Sequence, residues 1–261
     1  MSSVVTELEM NGQYGTAHVC GSVLRSVMAF GGEGLPVSGI TPLWLKAYEG
    51  YLLHKGGKGL AWNTVSTYMR MLQAVYNRAV ARKLAAFIPH QFRDVFTGRK
   101  ADHRRVLERD DMQKLLVERE PDITSPGMAW ARACLELMFR FHGMPFVDLA
   151  HLRKSDLKDG YLTLRRRKTG MPLSARVDGR AMQLLERYRN RDDTSPYLLC
   201  FLDGNLEGMA AYRDYQRILR LLNSRLRALA LWKKVQGKVT SYSARHTWAT
   251  AVSYTHLRAH E

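Results

Sequence analysis

Cysteine is scarce in this sequence, proline is sparse, and no long apolar run occurs. The three cysteines, Cys20, Cys134 and Cys200, lie far apart in 261 residues, which excludes a disulfide framework or a metal knuckle. No window approaches the roughly 18 apolar residues of a membrane span. The start, Met1-Ser2-Ser3-Val4-Val5-Thr6-Glu7, lacks the basic segment and apolar stretch of a secretory signal. There are no internal repeats and no low-complexity tracts, which excludes solenoids and fibrous chains. Acid is short as well: 24 Asp+Glu stand against 40 Lys+Arg, a net charge of +16. What is present is otherwise globular, with 46% hydrophobic and 10% aromatic residues, enough to bury a core. At roughly 100–200 residues per domain the length suggests two domains, and the expected location is cytoplasmic, with no membrane partner.

A surplus of 16 positive charges must be solvated or matched by an anion, and nucleic acid is the commonest polyanion in a cell. The charges fall within folded-looking segments. Arg165, Arg166, Arg167 and Lys168 follow the alternating stretch Tyr161-Leu162-Thr163-Leu164; Lys100, His103, Arg104 and Arg105 sit in a connector; Arg213, Arg217, Arg220, Arg225, Arg227, Lys233 and Lys234 decorate a helical pattern. Solvated helix faces account for part of this charge, and RNA would explain it as well as DNA.

Periodicity orders the chain. Residues 1–18 show no strong period and read as a frayed start. Val19–Phe30 reads as a helix closed by Gly31-Gly32. Thr41-Pro42 is an N-cap followed by proline, opening a helix with Leu43, Leu45, Ala47, Tyr48, Tyr51 and Leu52 on one broad face. Asn63 or Thr64 caps a third helix, in which Val65, Tyr68, Met69, Leu72, Val75, Tyr76 and Ala79 recur at helical steps. Residues 19–97 thus form a bundle of about four helices, and residues 98–105 form a basic linker. Beyond it come a helix over 108–118, a buried helix over 128–141, a break at Gly143-Met144-Pro145, a strand over 157–164 and a turn at Lys168-Thr169-Gly170. A return strand then starts at Met171-Pro172-Leu173. The remainder reads as a helix over 180–189, a strand or buried run over 197–201, a long basic helix over 211–231 and a final helix from Ser243. The fold class is mainly α with a small β-hairpin or sheet.

Four segments in this order resemble the tyrosine recombinases (phage integrases), in particular those of mobile elements in Bacteroides-like bacteria. Ile40–Leu45 through Asn63–Arg70 and Val75–Ala79 resemble their helical, SAM-like core-binding domain. His142-Gly143-Met144-Pro145-Phe146-Val147-Asp148-Leu149-Ala150-His151-Leu152 resembles the first catalytic segment, Arg167-Lys168-Thr169-Gly170 the hairpin with the catalytic lysine, and Thr240-Ser241-Tyr242-Ser243-Ala244-Arg245-His246-Thr247-Trp248-Ala249-Thr250 the second catalytic segment. The resemblance implies a core-binding domain over 19–97 and a mixed α/β catalytic domain over 106–252. It further implies duplex DNA held in a clamp, strand cleavage through a 3′-phosphotyrosine, other protomers as partners (a tetramer in the full-length parent), and no cofactor or metal. Cations must then stabilise the charge developing on the phosphate.

By this resemblance Arg245 clamps the phosphate, for which guanidinium is suited. Lys168 serves as general acid to the leaving oxygen. Tyr242, where the family more often has histidine, either offers a hydroxyl or packs beneath the helix. His246 supports the site or is structural; Asp148 braces the clamp or caps its helix. Arg165, Arg166, Arg167, Arg104, Arg105 and Arg70 are DNA-contact candidates.

Two departures stand out. His142 occupies the place where the family has an arginine, and losing one such donor costs about 10²–10³ in rate. Arg140 is two residues away, about 200° around the helix. After Arg245 the expected helices with the nucleophilic tyrosine do not follow: residues 253–261 resemble adapter-like sequence, and Tyr254, nine residues after Arg245, is too close to serve. The expectation is therefore a truncated recombinase without its nucleophile, with a non-catalytic DNA-binding remnant or regulator, or an RNA-associated protein, as alternatives.

Overall fold

In the computed structural model the described residues are 1–100, 107–116 and 125–258, with side chains to residue 251. The chain divides into two compact units, Met1–Asp102 and His103–Glu261.

The first unit is helical: α1 (Ser2–Met10), α2 (Tyr14–Gly31), α3 (Pro42–His54) and α4 (Trp62–Ala81). The frayed start expected over 1–18 is instead helix. Val4 and Leu8, one turn apart, are buried together with Ala17, and Glu7 pairs with Arg82 at 2.8 Å. A nine-residue helix with two buried side chains draws its stability from that packing and carries little periodic signal of its own. The cap of α3 is as expected: Thr41 Oγ1 accepts the Trp44 N–H at 3.2 Å. Its inward face is narrower, since Leu45, Tyr48, Glu49 and Leu52 are buried whereas Leu43 is 83% exposed. Glu49 is the one charged residue among them. Its carboxylate accepts the Phe96 N–H at 2.6 Å and the Lys46 ammonium at 2.7 Å, which holds the irregular segment after α4 against α3. Residues 82–97, expected to complete the bundle, carry turns rather than helix.

Asn63 does not cap α4, which begins one residue earlier with Ala61 at the N-cap. Its amide grips Lys100 instead: Oδ1 accepts the Lys100 N–H at 2.8 Å and Nδ2 donates to the Lys100 carbonyl at 2.9 Å. Ser66 Oγ donates to the Gly98 carbonyl at 2.6 Å, and Lys100 Nζ lies 3.9 Å from the Trp62 ring centre. Residues 98–100, expected to open a linker, are therefore docked on α4; residues 101–105, with Arg104 and Arg105, lie outside the described residues.

The second unit contains α5 (Arg109–Leu116), α6 (Pro126–Arg140), α7 (Phe146–Ala150), β1 (Leu157–Lys158), β2 (Tyr161–Arg165), β3 (Pro172–Arg176), α8 (Gly179–Arg187), α9 (Gly208–Trp232) and α10 (Ser243–Arg258). α6 is buried on every side from Ala131 to Met138 and forms the centre of the core with Leu149, Leu162, Leu184, Leu222 and Leu226. The sheet is antiparallel in the order β1-β2-β3, with Leu157 opposite Leu162 and Leu162 opposite Ala175. The single strand expected over 157–164 is two strands. Asp159 and Gly160 both take positive φ, 50° and 75°, as a two-residue hairpin turn requires. Residues 197–201 are not a strand; Leu198, Leu199 and Phe201 are buried, and the segment is tied by isolated bridges Arg153–Tyr197 and Arg189–Leu199. Among the described residues no helix is long and apolar enough to cross a membrane.

Candidate active site

Residues 142–148 hold together the segments that the sequence singled out. α6 ends where the Met144 N–H donates back to the carbonyls of Met138 and Phe141, at 2.9 and 3.1 Å, and the chain turns through His142 and Gly143 at φ 58° and 65°. A Cβ on Gly143 would stand 3.0 Å from the Arg245 Cα, so the absence of a side chain lets this turn meet α10. There Arg245 Nη1 donates to the Gly143 carbonyl at 3.3 Å. One of five guanidinium donors is thereby used to orient the group. His142 is exposed, its ring 5.5 Å from that of Trp248.

Five residues after Gly143, Asp148 is 2% exposed and reaches the β2–β3 hairpin. Its Oδ1 accepts the Arg167 N–H at 2.9 Å, and Oδ2 pairs with Arg166 Nε at 3.5 Å. Asp148 was expected either to brace the arginine clamp or to cap its helix; it anchors the hairpin, and its contacts are with Arg166 and Arg167. The hairpin tip is closed by Arg166 N–H to Met171 O at 2.9 Å and Gly170 N–H to Arg166 O at 2.8 Å. Arg167 and Lys168 project there, exposed, while Arg165 Nη1 donates to the Gly170 carbonyl at 3.2 Å. No contact among the described residues joins Lys168 to Arg245. Both are carried by elements fastened to residues 143–148.

A cleft of about 210 Å³ opens beside Arg245, lined by Pro145, Tyr215, Asn223, Thr240 and Tyr242 among others. Tyr242 is half-exposed and lies 5.9 Å, ring to ring, from the exposed His246. The loop leading to α10 is pinned by Ser243 Oγ accepting the Thr240 N–H at 3.1 Å and by Asn223 Oδ1 accepting the Ser241 N–H at 2.8 Å. Tyr215 and Asn223 were missed in the sequence. The readable signal was the i, i+4, i+8 row Tyr215-Leu219-Asn223 beside the apolar stripe of α9. Burial pushes the Tyr215 hydroxyl up to about 12, with Tyr212, Tyr242 and Asp148 adding to it, so it stays protonated. Burial likewise lowers His151 to about 4, helped by the Arg167 cation.

Arg140 does not face this cleft. Its Nε meets Glu136 at 3.0 Å and its Nη1 meets Asp178 at 2.6 Å. Asp178 also caps α8 by accepting the Ala181 N–H at 2.7 Å; that bond, then the Arg140 charge, holds its carboxyl below the usual range. Arg70 belongs to the other unit, exposed on α4 beside a cleft that Val4, Leu8 and Arg78 share. Tyr254 lies beyond the described side chains. No group of three His, Cys, Asp or Glu suited to a metal occurs among the described residues.

Residues 1–93 match the family model described as the phage integrase SAM-like domain. A dimer of lambda integrase residues 75–356 bound to a COC′ core site superposes with a TM-score of 0.63 at 15% identity, covering 92% of this chain and 80% of that one. The Tn1549 transposon integrase (residues 82–397, R225K) in complex with a circular intermediate DNA gives 0.57 at 16% identity, covering 88% and 79%. The XerH site-specific recombinase bound to its difH substrate gives 0.52 at 13%, covering 83% and 60%. The chain has the tyrosine-recombinase fold. No curated protein matches it. Within the recombinase fold, the SAM-like match falls in the first unit, and the segments around Asp148, the hairpin and Arg245 lie in the second.

Proposed function

We propose that this chain is a site-specific DNA recombinase of the integrase type, whose second unit grips a DNA backbone phosphate between α10 and the β2–β3 hairpin. The observation that carries the reading is the shared anchoring of two cationic elements on residues 143–148: Arg245 through the Gly143 carbonyl, and Arg166 and Arg167 through Asp148. A phosphoryl transfer that uses the protein's own cations needs such a constellation. Arg245 clamps the phosphate, Lys168 protonates the leaving oxygen, Tyr242 adds a hydroxyl donor, His246 supports them, and Asp148 sets the hairpin's position. Arg165, Arg166, Arg167 and, in the other unit, Arg70 contact backbone phosphates. The core-binding domain comprises the first unit and the catalytic domain the second. The partners are duplex DNA and further copies of the chain, since lambda integrase is known as a dimer on a core site and as a tetramer on a Holliday junction; the work is done in the cytoplasm, without cofactor or metal.

A specific observation favours a second reading, DNA binding with little cleavage: His142 stands where the family resemblance places an arginine, and Arg140 is held by two carboxylates. A titration of labelled duplex DNA at increasing KCl tests the main reading. Affinity is expected to fall steeply with salt, and structured RNA at equal phosphate concentration is expected to compete poorly. Equal competition by RNA overturns it. A suicide duplex that traps a covalent protein–DNA adduct separates the two readings.

A further inference from the structure

We propose that Asn223 is a further catalytic residue, whose side-chain amide donates a hydrogen bond to the phosphate that Arg245 grips; this rests on the phosphate-site reading above. The orientation of the amide is fixed by chemistry. The Ser241 backbone N–H, a donor only, lies 2.8 Å from Oδ1, so the oxygen must face it. An asparagine side chain has one oxygen and one NH₂ group, so the NH₂ group is left on the other side. Among the described residues nothing accepts a hydrogen bond from Nδ2, and Asn223 lines the cleft with Arg245, Tyr242 and Thr240. The helix turn beneath is held as well, because Arg227 Nε donates to the Asn223 carbonyl at 3.2 Å.

Among the described residues the cleft's lining contains no carboxylate. Its polar groups are the Arg245 guanidinium, the Tyr242 and Tyr215 hydroxyls, Thr240, Ser241 and the Asn223 amide, a set without a negative charge. The chemical class it suits is a tetrahedral oxyanion, here the backbone phosphate diester. A neutral donor held in place before the ligand arrives costs no reorganisation when charge develops. It gains weight because His142 and the engaged Arg140 supply no second guanidinium.

The test is an NMR titration of the full chain, labelled with ¹⁵N, against a short DNA duplex. The Asn223 NH₂ pair is assigned by its loss in Asn223→Asp, and the Arg245 Nε–H by its loss in Arg245→Lys. Both signals are expected to move together as duplex is added. If Arg245 moves and the Asn223 pair does not, the proposal falls while the phosphate-site reading stands. If neither moves while the duplex binds, the phosphate-site reading fails and takes this one with it. Asn223→Asp keeps an oxygen for the Ser241 N–H but replaces the donor with a negative charge. It is expected to melt near the parent temperature and to bind duplex at least about tenfold more weakly. A purely structural asparagine would be rescued by aspartate, so unchanged affinity in that variant overturns the assignment.

Discussion

A half-buried histidine shows how one residue ties the site to the stability of its unit. His151 hydrogen-bonds through Nδ1 to the Val147 carbonyl at 2.7 Å, with its ring 5.4 Å from that of Tyr215 and 5.8 Å from that of Tyr197. Burial, with the Arg167 cation in support, lowers it to about 4, whereas an unfolded histidine titrates near 6.5. Between those values the unfolded chain binds the extra proton. The stabilisation is therefore complete above about pH 6.5, is lost progressively as pH falls toward 4, and changes no further below that. The shift corresponds to at most about 3 kcal/mol. Thermal melts from pH 7 to pH 4 are expected to show this loss in the parent and a smaller one in His151→Gln; equal losses would mean that the imidazole titrates normally. At this scale the sequence revealed the residues whose neighbours form a pattern. Arg245 was legible from its segment. The place of Asn223 beside the cleft was not, because it depends on the Ser241 N–H, 18 residues away, and α9 drew notice for its arginines.

The β2–β3 hairpin is an element whose placement depends on a residue outside it. Asp148 on α7 is its fastening, accepting the Arg167 N–H and pairing with Arg166. Asp148→Asn retains an acceptor for the N–H and loses the charge pairing. Asp148→Ala leaves the Arg167 N–H and Arg166 without this partner, and is expected to cost about 1–3 kcal/mol. Stability should fall in the order parent, Asn, Ala, with faster hydrogen exchange at the Arg167 amide and weaker duplex binding in step; an alanine variant that melts like the parent would show the hairpin held by other contacts. Long periodic elements such as α4, α6 and α9 were readable because their apolar stripes repeat over several turns. α1 was unreadable because nine residues with two buried side chains have too few repeats to show a period. The Asp159-Gly160 turn was overlooked although Asp-Gly is itself a hairpin signal and the leucines change parity across it, from Leu157 to Leu162 and Leu164. Likewise Asn63 looked like a cap, and only the folded chain shows its amide on Lys100.

For the whole molecule the question is which of the 40 basic residues meet DNA phosphate and which meet the protein's own carboxylates. Salt dependence answers it, because each phosphate contact on duplex DNA contributes about −0.9 to the slope of log affinity against log salt. Arg245 spends one donor on the Gly143 carbonyl and has no carboxylate partner among the described residues; Arg245→Ala should flatten the slope by about one contact and weaken binding. Arg140 is matched by Glu136 and Asp178, so Arg140→Gln should leave the slope unchanged while lowering the melting temperature, as Glu136 then relies on Arg180, at 3.3 Å. His142 is exposed and carries no guanidinium, next to the turn that Arg245 grips. His142→Arg should therefore steepen the slope by about 0.9 and strengthen binding about tenfold, the worth of one hydrogen-bonded charge. Measured on one duplex at fixed pH, the three variants form a consistent set. If Arg140→Gln flattened the slope as much as Arg245→Ala, Arg140 would have to leave its carboxylates when DNA arrives, and the site would already possess the second guanidinium that His142 was taken to have displaced.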